Sequence, residues 1–124
     1  MKKERPERRK YARCVVEEGA SARIAAVFEA SVLNLSVGGA LLEHDQLIQP
    51  GTLSSLILTL NGRATTLKCR TVRSAVHRLE VQPDGERALI YRTALEFVES
   101  SDNAHQMIRD YIQSIIPPDA SSSN

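Results

Sequence analysis

Residues 53–72 read LSSLILTLNGRATTLKCRTV, and this stretch decides the fold. Leu56, Leu58 and Leu60 recur at every second position, which is the period of a strand with one buried face. Asn61-Gly62 supplies the two residues that tolerate the positive φ angles of a type I′ turn. The arm after the turn alternates as well, with Leu67, Cys69 and Thr71 against Lys68 and Arg70. The stretch therefore predicts a β-hairpin.

Short apolar or β-branched runs, separated by turn residues, continue the strand pattern on both sides of this hairpin. They cover residues 14–16, 23–27, 28–33, 39–42, 78–81 and 89–98. Six or so short strands with turns at intervals near ten residues are typical of a small antiparallel barrel or sandwich. We therefore expect a mainly all-β fold.

The C-terminal region has a different period. Ser100-Ser101-Asp102 offers N-cap residues, and Pro117-Pro118 stops a helix. Between them the apolar residues recur at helical spacing: Met107, Ile108, Tyr111, Ile112, Ile115 and Ile116. We predict a helix at about 102–116 and a disordered tail at 117–124. The apolar stripe of the helix must be buried, either on the barrel of its own chain, which is the commoner outcome, or against a partner.

Composition limits the class of protein. A chain of 124 residues is one domain by length, and no apolar run approaches the length that spans a bilayer. No apolar segment follows the first five residues, so we expect no secretory signal, no membrane insertion and a cytoplasmic location. Cys14 and Cys69 are too few for a disulfide framework and are predicted to be buried free thiols. The three histidines are scattered singly, so no metal site or other cofactor is expected.

Positive charge is concentrated at the start of the chain. Residues 1–13 hold seven basic and two acidic side chains, whereas the whole chain has a net charge of only +1. Residues 1–8 are predicted to be a flexible basic arm, ahead of a domain at 9–116. A cationic arm on a mildly acidic body attracts a polyanion to one place, although a solubilising tail would have the same composition.

Two short motifs offer ligand chemistry. The first is Arg9-Lys10-Tyr11-Ala12-Arg13, in which two arginines four residues apart can form bidentate contacts to phosphates and stack on a base. The second is Asn34-Leu35-Ser36-Val37-Gly38-Gly39, where an amide and a hydroxyl could meet a purine edge. Asn and Ser at a strand end also form ordinary turns, and a glycine pair can simply start the next strand.

The order and spacing of these motifs resemble the PilZ domain family of bacterial cyclic di-GMP receptors. The resemblance extends through the stretches 7–13, 34–42 and 91–97. It implies a six-stranded antiparallel PilZ-type β-barrel with a C-terminal α-helix. It also implies a cyclic di-GMP site in which Arg9 and Arg13 grip phosphates and stack on guanine, with Arg8 assisting.

Asn34 and Ser36 are assigned by the same resemblance to a guanine edge, and Gly39 to the shape of the turn. Asn34 stands where Asp is more usual in the family, and Ala94 stands where glycine is common. The amide lacks the carboxylate charge that favours the N–H donors of guanine, so weaker affinity is expected.

The resulting hypothesis is a second-messenger receptor or adaptor whose N-terminal arm changes conformation on binding and signals to a downstream protein. It would be a monomer or weak homodimer. One alternative is a degenerate PilZ module that binds proteins but no ligand. Another is a small nucleic-acid-binding barrel, which the aromatic content of only 4% disfavours. No catalytic constellation of residues is present in the sequence, so we do not expect an enzyme.

Overall fold

The computed structural model describes residues 14–16, 19–25 and 28–115, which form seven strands and one helix. Their bounds are β1 Cys14–Val15, β2 Ala20–Ile24, β3 Phe28–Ser36, β4 Gly39–His44, β5 Leu53–Leu60, β6 Arg63–Val81, β7 Arg87–Glu99 and α1 Asp102–Ile115. The predicted basic arm at 1–8 and the predicted tail at 117–124 lie outside the described residues.

The strands pair antiparallel in a closed circuit. Neighbours follow the order β3-β2-β5-β6-β7-β4, and β4 pairs again with β3. The two-residue β1 lies on the same side of β3 as β2, so these two segments act as one interrupted strand. The predicted six-stranded antiparallel fold with a C-terminal helix is confirmed. Closure gives each of the six strands two neighbours and removes the free edges of an open sheet over that region.

The hairpin between β5 and β6 has the predicted turn. Asn61 and Gly62 have φ angles of 50° and 85°, and Leu60 pairs with Arg63 across them. Leu67, Cys69 and Thr71 all point into the core, as their alternation predicts. Burial raises the pKa of the Cys69 thiol to about 11, so this cysteine is a protonated, buried side chain rather than a reactive thiolate.

The strand boundaries expected after the hairpin were wrong in one respect. Residues 64–72 and 78–81 were expected to be separate strands, but β6 runs unbroken from Arg63 to Val81. Its register against β7 shifts after Lys68, Thr71 and Val76. The last two shifts leave Val72 and His77 as extra residues of β6 and change which of its side chains face inward. The period of two is therefore lost beyond Thr71, although the strand continues.

Helix α1 closes one side of the core. The Ser101 hydroxyl accepts a hydrogen bond from the Ala104 amide at 3.1 Å, as an N-cap residue does. The helix buries its apolar stripe against the barrel of its own chain: Ala104, Met107, Ile108, Tyr111 and Ile112. Intramolecular docking is therefore confirmed. No helix among the described residues is long and apolar enough to cross a bilayer.

A chain of hydrogen-bonded polar groups links β4, β7 and β6; His44 and Thr93 are buried and Ser74 is half-buried. His44 Nδ1 accepts a hydrogen bond from the Gln46 amide, and its Nε2 lies 2.7 Å from the Thr93 hydroxyl. The Thr93 hydroxyl lies 2.8 Å from that of Ser74. This arrangement needs the neutral imidazole with its proton on Nε2. Burial accordingly lowers the pKa of His44.

Candidate functional site

Strand register defines the outer face on which the second motif lies. Leu35, Ala40, Leu95 and Thr71 form one cross-strand row, and none is more than 3% exposed, so this row faces the core. Successive side chains of a strand point to opposite faces, so the rows on either side of it point away from the core, although Ser36, Gly39 and Ala94 within them are themselves buried. One of them holds Val15, Asn34, Leu41, Ala94 and Arg73, and is called the Asn34 row. The other holds Ser36, Gly39, Glu96 and Arg70, and is called the Ser36 row.

Ser36 uses its hydroxyl to close the turn between β3 and β4. The Ser36 Oγ accepts hydrogen bonds from the amides of Gly38 and Gly39, each at 3.2 Å. It is 4% exposed. The ordinary turn-forming interpretation of this serine is therefore realised, and its predicted contact with a guanine edge stays a prediction.

Gly39 is required by a close approach of two strands. A Cβ added to Gly39 would collide with the backbone carbonyl oxygen of Leu95 on β7. The Gly39 φ angle is not positive, so the requirement is the absence of a side chain rather than an unusual backbone conformation. The neighbouring Gly38 carbonyl accepts a hydrogen bond from the Phe97 amide at 2.9 Å. Gly39 therefore lets the turn lie directly against β7.

Asn34 is half-buried on the outward row, just after an irregularity in β3. Val32 pairs with Leu42 and Asn34 with Leu41, which leaves Leu33 as the extra residue of a bulge. On its other side Asn34 lies opposite Val15 of β1. The bulge turns Asn34 outward although Val32, two residues earlier, is buried.

Arginine side chains on β6 complete the far end of both rows. Arg70 forms an ion pair with Glu96 at 2.9 Å in the Ser36 row. Arg73 is exposed in the Asn34 row, opposite Ala94, and is in no ion pair shown by the described residues. Sequence reasoning did not identify Arg73 as a candidate site residue. No local signal could have found it, because its place in the row depends on the bulge between Thr71 and Arg73.

A cleft of about 640 Å³ opens beside the Asn34 row, next to Ser31 and Glu43. Glu43 forms ion pairs with Arg78 at 3.0 Å and with Arg92 at 3.1 Å. The contact with Arg78 has the largest effect on Glu43 and, together with the contact to Arg92, lowers its pKa. Burial acts in the opposite direction but is outweighed. Arg78 also meets Glu80 at 2.9 Å, and both carboxylates raise its pKa. The wall of the cleft is thus formed in part by a network of ion pairs. The volume of the cleft is in the range of small-molecule sites.

Arg8, Arg9 and Arg13 lie outside the described residues, so their predicted roles stay predictions. The described part of β1 nevertheless shows where the chain continues after Arg13. Cys14, the next residue in the chain, pairs with Leu35, which lies between Asn34 and Ser36. The first motif is therefore covalently attached at the strand that holds the second. Within 14–16, 19–25 and 28–115, no group of His, Cys, Asp or Glu side chains could hold a metal ion.

Comparison with known proteins identifies the class. The PilZ domain model matches residues 5–114, so the chain belongs to the PilZ domain family. Its fold is similar to that of "PilZ domain with c-di-GMP of YcgR" from Escherichia coli, with 15% identity, a TM-score of 0.64, and coverage of 87% of this chain and 91% of that one. No curated protein is similar enough in sequence to count as a relative.

Two longer proteins contain a similar fold. The MrkH–c-di-GMP complex of K. pneumonia is 16% identical, with a TM-score of 0.61 over 94% of this chain and 56% of that one. The inhibitor of motility MotI/DgrA of Bacillus subtilis is 22% identical, with a TM-score of 0.56 over 86% of this chain and 50% of that one. The chain thus spans about half the length of these two proteins.

Proposed function

We propose that this PilZ-family chain is a receptor for cyclic di-GMP. The observation that carries the proposal is the pairing of Cys14 with Leu35, because it attaches the Arg9–Arg13 motif beside Asn34 and Ser36. The two motifs are about twenty residues apart in sequence, and the strand that follows the first motif is adjacent to the strand that contains the second. Structural similarity to the YcgR and MrkH structures, both described as holding c-di-GMP, supports the same ligand.

In this proposal the arm arginines bind the two phosphates of the ligand. Arg9 and Arg13 provide planar donor groups that are permanently charged, and Arg8 assists them. Each charge-assisted contact contributes roughly 1.5–3 kcal/mol, so two or three of them with base stacking correspond to a dissociation constant in the micromolar range. Arg73 is a further exposed cation on the Asn34 row, and we include it among the proposed contacts to the anionic ligand.

Base recognition is assigned to the turn. The Asn34 amide and the Ser36 hydroxyl would meet a guanine edge, while Gly39 keeps the turn against β7. Ser36 Oγ accepts from two backbone amides and donates to the Gly39 carbonyl over a long 3.4 Å, so a guanine acceptor would have to replace that long hydrogen bond. An Asn34→Asp substitution adds the charge that favours guanine donors, so we expect tighter binding.

Signalling follows from binding rather than from catalysis. Ligand binding would change the conformation of the arm, and the altered surface would recruit or release a downstream protein. A cytoplasmic location and the absence of enzymatic activity stay predictions. They agree with a receptor that returns its ligand unchanged.

The test is calorimetric titration with cyclic di-GMP of the wild type and of Arg9→Ala, Arg13→Ala, Arg73→Ala and Asn34→Asp. Arg63→Ala is the matched control, because Arg63 follows the β5–β6 turn and lies in neither row. We expect micromolar binding, lost in the first two variants, weakened in the third, tightened in the fourth and unchanged in the control. Chromatography of the ligand after incubation should recover it intact.

Absence of binding by the wild type across buffers and temperatures would contradict the proposal and leave an interaction module without ligand. A single-stranded oligonucleotide titrated in parallel separates the remaining alternative. Tight oligonucleotide binding with a steep salt dependence, together with indifference to cyclic di-GMP, would establish the nucleic-acid-binding barrel instead.

A further inference from the structure

The far ends of β6 and β7 extend beyond the closed circuit of strands. β5 pairs with β6 only as far as Arg70, and β4 pairs with β7 only from Tyr91 onward. Residues 75–81 of β6 and 87–92 of β7 are called the distal ribbon. Over residues 78–81 and 87–90 the two strands have only each other as partners among the described residues.

One edge of this ribbon is open over a substantial length. The loop before β5 covers β6 as far as Ser74. The Thr71 amide donates to the Thr52 carbonyl, the Gly51 amide donates to the Thr71 carbonyl, and the Ile48 amide reaches the Ser74 hydroxyl. Beyond Ser74, the described residues provide β6 with no strand partner except β7. The edge at Ala75–Val81 therefore presents backbone donors and acceptors that an added strand can use.

Apolar side chains on the ribbon are also uncovered. Val76, Leu79, Val81 and Leu89 are between 45% and 65% exposed. Leu79 and Leu89 are opposite one another and share the face that points away from the cleft, whereas Arg78 and Glu80 line the cleft. A two-stranded ribbon is marginal by itself in water, and three or more strands with an apolar face are needed for independent stability. Addition of strands at the open edge would supply them.

We propose that the β6 edge pairs antiparallel with the same edge of a second copy of this chain, about a two-fold axis at Leu79. The two ribbons then form a four-stranded sheet in the order β7-β6-β6-β7. Such an interface is isologous, because each copy contributes the same residues. This inference is independent of the cyclic di-GMP proposal.

The charges of the edge select the register. A two-fold axis perpendicular to the sheet keeps like faces together, so residues directly opposite must have equivalent orientations. If the two-fold axis passes through Arg78, two arginines lie opposite each other. If it passes through Glu80, two glutamates lie opposite each other. Only the Leu79-centred register sets Arg78 of each copy opposite Glu80 of the other, with the two Leu79 side chains in contact. Opposite charges directly across a pair of strands stabilise it, and like charges oppose it.

Self-association is also favoured by the low net charge of the chain. At +1, two copies repel each other little, and the pairing needs no second protein with a complementary edge. The register shift after Val76 limits the regular part of the edge to residues 78–81. The interface is therefore short, and we expect a reversible dimer rather than a permanent one.

The test is sedimentation equilibrium of the full chain between about 1 µM and about 1 mM, which covers weak association. Leu79→Lys puts two ammonium groups at the axis and should weaken dimerisation about tenfold or more. Leu89→Lys is the matched control, since it adds the same charge on the same face but on β7. It should keep the wild-type dissociation constant within about threefold. Thermal melts establish that both variants, which alter half-exposed positions, are folded.

A second pair of variants tests the register. Glu80→Arg puts a guanidinium opposite the Arg78 of the second copy and should weaken the dimer, whereas Glu86→Arg in the hairpin turn should not. A wild type that stays monomeric throughout the concentration range would overturn the proposal. Equal weakening by Leu79→Lys and Leu89→Lys would also overturn it, because that result indicates packing of faces rather than pairing of edges.

Discussion

The two ends of β7 differ in the number of strands beside them. From Tyr91 to Glu96 the strand has β6 on one side and β4 on the other, whereas from Arg87 to Ile90 its only partner among the described residues is β6. The consequence is visible in two leucines that are both within strands. Leu42, in the closed circuit, is completely buried, and Leu79, in the distal ribbon, is 53% exposed. Burial in this fold therefore follows strand closure rather than side-chain type.

The largest expected difference between the closed circuit and the distal ribbon is the effect of truncating a leucine side chain to alanine. Leu42→Ala should lower the free energy of unfolding by about 2–5 kcal/mol, because it leaves a cavity among packed neighbours. Leu79→Ala should lower it by about 0.5 kcal/mol or less, measured at a protein concentration where the chain is monomeric. Urea denaturation of both variants gives the two values. Similar losses would mean that the ribbon is as well packed as the barrel.

Two glycines are required for different reasons, and alanine substitutions distinguish them: Gly39 by the close approach of another strand and Gly85 by its backbone conformation. Gly39→Ala forces a Cβ against the Leu95 carbonyl and should cost about 3 kcal/mol. Gly85→Ala, in the ribbon turn, meets no atom but requires a positive φ of 89°, so about 1–2 kcal/mol is expected. Thermal melts rank the two variants. An equal or larger loss at Gly85 would contradict the contact between the Ser36 turn and β7.

Loss of the Ser36 hydroxyl should have an intermediate effect. Ser36→Ala leaves the Gly38 and Gly39 amides without their acceptor, which should cost about 1–2 kcal/mol. Ser74→Ala is no equivalent, because its hydroxyl belongs to the polar chain of His44. Ser21→Ala, on an exposed strand position, is the control and should lie within about 0.5 kcal/mol of the wild type. A neutral Ser36→Ala would show that water replaces the hydroxyl.

The smallest expected effect is a pH dependence from His44. Its pKa is lowered by burial in the folded chain, so below the ordinary value of 6.5 the unfolded chain binds more protons than the folded one. Stability should therefore fall as the pH is lowered through 6.5 toward 5. His44→Gln should flatten this slope, and His105→Gln should not. Equal slopes in all three proteins, from urea titrations at several pH values, would exclude His44 as the cause.

Much of the local structure followed from short stretches of sequence. The Asn61-Gly62 turn and the inward alternation of Leu67, Cys69 and Thr71 were predicted and are confirmed. An N-cap within Ser100-Ser101-Asp102 was also predicted, and the structure shows that it is Ser101. Each depends on backbone preferences or on neighbours within a few residues. The resemblance of the two motifs to the PilZ family was likewise sufficient for the fold class, which the match over residues 5–114 confirms.

The course of β6 and the role of Gly39 could not be predicted in the same way. The bulges of β6 reset the alternation of side chains and so hide a continuous strand from any periodic pattern. Gly39 was interpreted as a residue that shapes its turn, but its need for a bare Cα comes from Leu95, more than fifty residues further along the chain. The position of Arg73 on the Asn34 row has the same long-range origin.

The sequence by itself determined the turns, the helix and its cap, the alternating faces of the central hairpin and the family to which the chain belongs. These features depend on φ preferences, local hydrogen bonds and short periodicities, all of which are properties of neighbouring residues. Only the tertiary structure decided which strands close the circuit, which outward side chains share a row with Asn34, and which edge remains open. Those features depend on the pairing of distant segments, and a single bulge is enough to change them.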